Sequence, residues 1–292
     1  MDASGNRGPG PDRRTHERLP FSGRPVLSEE DFSRLSDFTN SVLGIRIKPG
    51  ESKLLESRLM NRLRTLNIAT FREYSGYLMS QRGIVDELEH FINSMTTGKT
   101  HFWREADHFE FIITRGAGEL LRERHSISAW SIGCSTGEEP YSIAMSLAEH
   151  ARRRGGFRFS VLGSDVSESA IMKAEKAEYG LGSVLNLPTE LRDMYLVNNE
   201  GGYSVDSGIR ERVSLRQMNL LEEDYGLSGK VDMAFFRNVG IYFERELQGA
   251  ILKKICDNLS AGGFLFMGHS ERADEYGLPL EPVEGTIYRK LG

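Results

Sequence analysis

Two adjacent carboxylates beside two glycines, in the stretch Gly133–Glu139 (GCSTGEE), restrict what could bind there. The apolar residues Ile127, Ala129 and Trp130 before the stretch read as a strand, and the residues after it as a helix. Thr136 is placed to cap that helix, Glu138 and Glu139 suit its positive end, and Pro140 fits a first turn that needs no N–H. Strand, glycine turn and helix together open a nucleotide-binding α/β sheet. A dinucleotide would lay its pyrophosphate on the helix N-terminus, where Glu138 and Glu139 repel it. A cofactor with adenosine, positive charge and no phosphate is welcome there. S-adenosylmethionine, a sulfonium with an ammonium group, is a molecule of that kind.

Other chemistry-bearing residues fall at strand ends and at one junction. RFSVLGSDV is an apolar strand ending in Asp165. A carboxylate at the end of the second strand accepts hydrogen bonds from ribose hydroxyls; the alternative is a cap for the helix starting near Glu168. NSMTTGKTHFWRE (93–105) is polar, then aromatic, and lies where a helical region meets the α/β region, a favoured place for ligand contacts. Arg104 either serves a ligand or pairs with Glu105 or Asp107. His101, Glu105 and His108 match no zinc spacing and have no cysteine nearby, so no metal is expected. KVDMAFFRNVGIYF reads as a buried central strand running into Arg237–Asn238, with Tyr242 just beyond. FLFMGHSE ends another strand at His269–Glu271, and EGTIYRKL closes the chain as a final strand.

These residues need a frame. The chain has 292 residues, enough for one large domain or two smaller ones. Residues 1–25, rich in Gly, Pro, Arg and Asp, read as a disordered tail. Residues 26–94 read as helices: a capped start at Ser28 stopping at Gly44, a second helix from about Glu51 to Leu66, and two more near 70–80 and 84–94. Leu55, Leu59, Leu63 and Leu66 form one apolar stripe. Between Arg46 and Arg64 six basic residues face only Glu51 and Glu56, with Arg58 and Arg62 four apart on one face. The choice is between a solvated face and a docking surface for an acidic partner. Residues 95–292 read as strand–helix alternation, interrupted at about 198–216 by a small antiparallel insertion around a turn at Asp206–Gly208. A net charge of −5 argues against a general nucleic-acid binder. No apolar run approaches a membrane span, and the first residues lack the apolar core of a secretory signal. Two distant cysteines without metal spacing fit a reducing cytoplasm.

STGEEPYSIA, GSDV, MNLLE, FRNVGIYF and GHSE, in this order after NSMTTGKTHFWRE and a basic helical region, closely resemble the chemotaxis receptor methyltransferases, the CheR family. The resemblance covers about residues 27–292. It implies a class I methyltransferase fold: a seven-stranded Rossmann-like α/β sheet with the last strand antiparallel, an N-terminal all-α domain and a small antiparallel β-subdomain. It implies methyl transfer from S-adenosylmethionine to glutamate side chains on the cytoplasmic helices of chemoreceptors, giving glutamyl methyl esters and S-adenosylhomocysteine. By motif, the cofactor contacts would be Thr100, Arg104, Glu139, Asp165, Asn219, Leu220, Arg237 and Asn238, with Gly98 at a further contact position. Arg104 and Tyr242 would stand beside the methyl group and the incoming glutamate. Arg58 and Arg62 would meet the acidic receptor helix, and the β-insertion would pair with a receptor's C-terminal peptide. The chain departs from the family at Gly98, where Asn is usual, at Gly240, commonly Leu or Met, and at Phe236, often Cys. One lost hydrogen bond costs about 1 kcal/mol, so Gly98 should weaken cofactor binding and not abolish it. Gly240 is expected to loosen the turn before Tyr242 or to leave room near the methyl group. The alternatives are a cofactor-binding regulatory module without turnover and a methyltransferase of another protein.

Overall fold

Apolar runs of strand length, separated by amphipathic helices, fold into one main sheet with a helical domain packed at the carboxyl ends of its parallel strands. The computed structural model describes residues 25–96 and 98–292; the tail expected at 1–25 lies, but for Pro25, outside them. The strands are β1 (Ser126–Ile132), β2 (Arg158–Asp165), β3 (Glu178–Tyr179), β4 (Leu196–Asn199), β5 (Gly202–Val205), β6 (Val213–Gln217), β7 (Val231–Phe236), β8 (Leu259–Met267), β9 (Leu280–Glu284) and β10 (Ile287–Lys290). Seven of them make the main sheet in the order β6-β2-β1-β7-β8-β10-β9. The first five are parallel, and β10 runs antiparallel to both its neighbours. β7 is buried along its whole length, as a central strand covered on both faces must be. Its Met233 and Phe235 face one core with the helix Glu138–Arg154. Ala234 and Phe236 face the other core with the helix Arg245–Asn258.

Three expectations change. The antiparallel insertion does not run through 198–216. β6 pairs in parallel with β2 at the edge of the main sheet, and the small sheet is built from β3, β5 and β4 instead. The turn expected at Asp206–Gly208 is the start of a short helix, Ser207–Arg210, capped by the Asp206 side chain. Thr136 does not cap the helix after β1: that place falls to Gly137, and the Thr136 hydroxyl donates to Glu138 instead, at 2.7 Å.

The N-terminal helices carry their own core. Ser28 caps the helix Glu29–Leu43, Gly44 ends it, and Leu55, Leu59 and Leu63 of the helix Ser52–Leu66 are buried against Phe71, Tyr74 and Phe91. Arg62, expected on a docking face, is engaged within the helical domain. Its Nε and Nη2 donate to Glu87 at 2.9 and 2.6 Å, Tyr74 donates to the same carboxylate, and Glu87 is fully buried. Arg58 is half-buried and donates to the Met95 carbonyl. The partners lie too far along the chain for helical spacing to reveal them.

The helical domain is fastened to the sheet at several points. Ile45 forms an antiparallel bridge with Phe243, Asn219 Nδ2 donates to the Val42 carbonyl at 2.8 Å, and Arg46 pairs with Glu244. Glu89 accepts from the Glu168 amide and from Gln217. Among the described residues, no helix is long and apolar enough to cross a membrane.

Candidate active site

The turn after β1 is held in a shape that needs glycine. Gly133 and Gly137 have φ of 69° and 95°, and a Cβ on Gly133 would lie 2.5 Å from Val239. The turn can therefore lie directly against the loop after β7, and between them opens a cleft of about 440 Å³. Gly98, Thr100, Arg104, Glu139, Asp165, Asn219, Leu220, Arg237, Asn238 and Tyr242 all line it. Arg58 and Arg62 do not.

The two carboxylates at the turn have different tasks. Glu138 points away from the cleft and takes the Thr136 hydroxyl, so it is not part of the barrier to a pyrophosphate. Glu139 lines the cleft: the Ser131 hydroxyl donates to it at 2.7 Å, and Arg237 stands 3.6 Å from its other oxygen. Burial pushes the Glu139 pKa up against the pull of Arg237. Asp165 accepts the backbone N–H of Ser135 at 2.8 Å and of Ser167 at 2.9 Å, and burial raises its pKa too. Ser167, not Asp165, caps the helix Glu168–Lys176.

Arg237 organises the opposite wall. Its side chain is 1 % exposed, pairs with Glu105 at 3.1 Å, donates to the Arg104 carbonyl and lies over the Phe109 ring. Asn238 donates from its side chain to Glu105 and from its backbone to Glu271. Arg104 pairs with neither Glu105 nor Asp107; its Nη1 donates to the Lys99 carbonyl at 3.1 Å. Asn219 spends its side-chain N–H on the helical domain, at Val42. Tyr242 follows on the short turn Gly240–Tyr242 and is 37 % exposed. Gly240 does not face the cleft. A Cβ there would meet Gln248 at 2.4 Å and Glu271 at 3.0 Å, so the expected extra room near the methyl group is absent.

Some functional geometry escaped the sequence. Glu105, the partner of Arg237, and Glu271, which accepts from Asn238 and Gly268, had no local signal marking them as supports. Leu43, Ile45, Met95 and Thr96 bring the helical domain to the cleft wall. Trp103, Glu105, Ser135 and Asn238 adopt left-handed backbone, an unfavourable state for non-glycine residues that gathers at functional sites. Glu105, His108 and His269 present ligand-type atoms within 4.8 Å of one another. Each has protein partners: Glu105 has Arg237, His108 has Thr286, and His269 has Asp107.

The cleft's own chemistry fits a cationic adenosine cofactor. Two carboxylates whose pKa values burial raises gain from ammonium or hydroxyl donors, Arg237 Nη1 is buried without a hydrogen-bond partner among the described residues, and Val166, Ala170 and Met218 supply an apolar wall. A parallel sheet ending in a reversed strand, with this cleft at the ends of β1, β2 and β7, defines a class I methyltransferase. Residues 98–288 match the family model described as CheR methyltransferase, SAM binding domain, and residues 30–96 the one described as CheR methyltransferase, all-alpha domain. The chain belongs to the CheR methyltransferase family and has S-adenosylmethionine as its cofactor. It is 35% identical to the chemotaxis protein methyltransferase of Escherichia coli over 257 residues, 87% of this chain and 88% of that protein. It is 32% identical to that of Borreliella burgdorferi over 252 residues, 84% and 89% of the two chains. To chemotaxis protein methyltransferase 2 of Pseudomonas aeruginosa it is 33% identical over 267 residues, 89% and 93% of the two.

Proposed function

We propose that this chain methylates glutamate side chains of chemoreceptors in the cytoplasm, giving glutamyl methyl esters, as part of chemosensory adaptation. The observation that carries this reading is one cleft lined together by Glu139, Asp165, Arg104 and Tyr242. When bound, S-adenosylmethionine supplies an electrophilic methyl group on a sulfonium, and its transfer to a carboxylate oxygen cancels both charges and leaves the thioether S-adenosylhomocysteine. A glutamate carboxylate is ionised near neutral pH and needs no base to attack. The protein's task is therefore to exclude water and to orient. Glu139 holds the cofactor's ammonium and Asp165 its ribose hydroxyls. Arg104 orients a carboxylate, and its tie to the Lys99 carbonyl helps to fix the guanidinium in place. Tyr242, part-exposed at the mouth, positions the incoming glutamate. On the basic helix an acidic partner would meet Lys53 and Arg64, both exposed, in place of Arg62. A receptor C-terminal peptide would add to β4, an edge of the small sheet whose Val197 is exposed.

The test is methyl transfer from labelled S-adenosylmethionine to membranes carrying chemoreceptors. Base-labile label mapping to receptor glutamates is the expected result. Base-stable label, or cofactor binding with no transfer, would overturn the reading. Arg104→Ala at near-full turnover would remove the role given to Arg104.

A further inference from the structure

We propose that Ser135 is a cofactor-binding residue whose hydroxyl is kept for the ligand by the absence of a side chain at Gly98. The inference rests on the reading of the cleft as the S-adenosylmethionine site.

Three observations carry it. The Ser135 Oγ is buried and has no hydrogen-bond partner among the described residues, although Ser135 lines the cleft. A buried hydroxyl without a partner is costly, and native proteins seldom leave one without a use. Ser135 is also held firmly. Its backbone is left-handed, with φ of 50°, and its N–H donates to Asp165 at 2.8 Å. The hydroxyl is thus presented next to the carboxylate that receives the ribose, with only its χ1 rotation free to choose a partner. Finally, the space beside it depends on position 98. A Cβ built on Gly98 meets one heavy atom within 4 Å, the Ser135 Oγ at 2.8 Å. That is too close for a carbon, so any larger residue at 98 would turn the hydroxyl or push the turn.

The two positions therefore act as a pair. With Gly98, the Ser135 hydroxyl keeps its rotamers and can donate to a ligand oxygen or accept from a ligand N–H or O–H. The absent side chain at 98 and the unpartnered hydroxyl at 135 are two parts of one arrangement on the ribose side of the cleft.

The test uses the full chain and S-adenosylhomocysteine as probe, with binding by titration calorimetry and unliganded stability by thermal denaturation. Ser135→Ala should weaken binding about fivefold, the worth of one net hydrogen bond, and should leave the unliganded midpoint unchanged or raise it, because an unpaired buried hydroxyl is removed. Gly98→Ala should weaken binding in the wild-type background and have no further effect in Ser135→Ala, where the atom it strikes is gone. Unchanged affinity in Ser135→Ala would overturn the proposal. So would additive effects of the two substitutions, or a fall in the unliganded midpoint of Ser135→Ala, which would make the hydroxyl structural. A wild-type chain that does not bind the probe would instead overturn the reading of the cleft itself.

Discussion

Replacing Arg62 by alanine separates a docking role from a structural one. The Arg62 side chain is 15% exposed and its Glu87 partner 0%. Two hydrogen bonds join them, and Tyr74 donates a third to the same carboxylate. Alanine would leave the Glu87 carboxylate buried with only the Tyr74 hydroxyl. Breaking a buried ion pair from one side costs about 3–5 kcal/mol. For a chain of 292 residues that is roughly 5–8 °C in the midpoint of thermal unfolding. The assay is paired: unfolding by calorimetry, and methylation of receptor membranes at a temperature where the variant is still folded. Arg62→Ala should unfold early yet keep its receptor KM when folded. The exposed Arg64→Ala should do the reverse, with stability held and KM raised. Arg62→Ala with an unchanged midpoint and a raised receptor KM would refute the structural role and return Arg62 to the docking face.

Glu139→Gln should weaken S-adenosylhomocysteine binding and flatten its pH dependence. Burial raises the Glu139 pKa in the free protein, and the ligand's ammonium group beside it favours the ionised form, so binding releases a proton and affinity climbs with pH until the raised value is passed; calorimetry in buffers of different ionisation heat reads that proton. His108 is buried, with its pKa lowered to about 2 by burial first and then by Arg237 and His269. Its stabilising contribution is full above the unfolded value near 6.5 and is lost as pH falls below that, at up to about 1.4 kcal/mol per pH unit; His108→Gln should flatten acid denaturation between pH 6 and 4. Gly240→Met should destabilise by about 1–3 kcal/mol through overpacking against Gln248 and Glu271, and denaturant titration showing a neutral or stabilising effect would refute that packing.

What the sequence discloses is what is local. The glycines, carboxylates and first helical turn of Gly133–Glu139 lie within a few residues of one another, so their chemistry could be read directly. Asp165, Arg237 and Asn238 were legible because they end apolar runs, and strand ends are where an open α/β sheet collects its ligands. Partners far apart in the chain were not. Arg62 and Glu87 both look like surface charges until the fold buries them together. Glu105 is by sequence a candidate partner for Arg104 and is the counter-ion of Arg237. β6 looked like half of a hairpin because its local pattern is that of any short strand, while its pairing with β2 is decided by the twist and closure of the main sheet. Glu138 and Glu139 carry the same charge in adjacent positions, and only helix geometry buries one away from the cleft and turns the other into it.

The fastening of the helical domain has an energetic consequence. Asn219 sits in the cleft wall yet gives its side-chain N–H to Val42, and Phe243, also in the wall, pairs with Ile45. Ligand affinity and domain docking are thus linked quantities, each able to shift the other's equilibrium. A ligand at a hundred times its Kd adds about 2.7 kcal/mol to the state that binds it. Here that state includes the seated helical domain, so amide hydrogens around Val42–Ile47 should slow their exchange when the cleft is filled, together with those of the sheet.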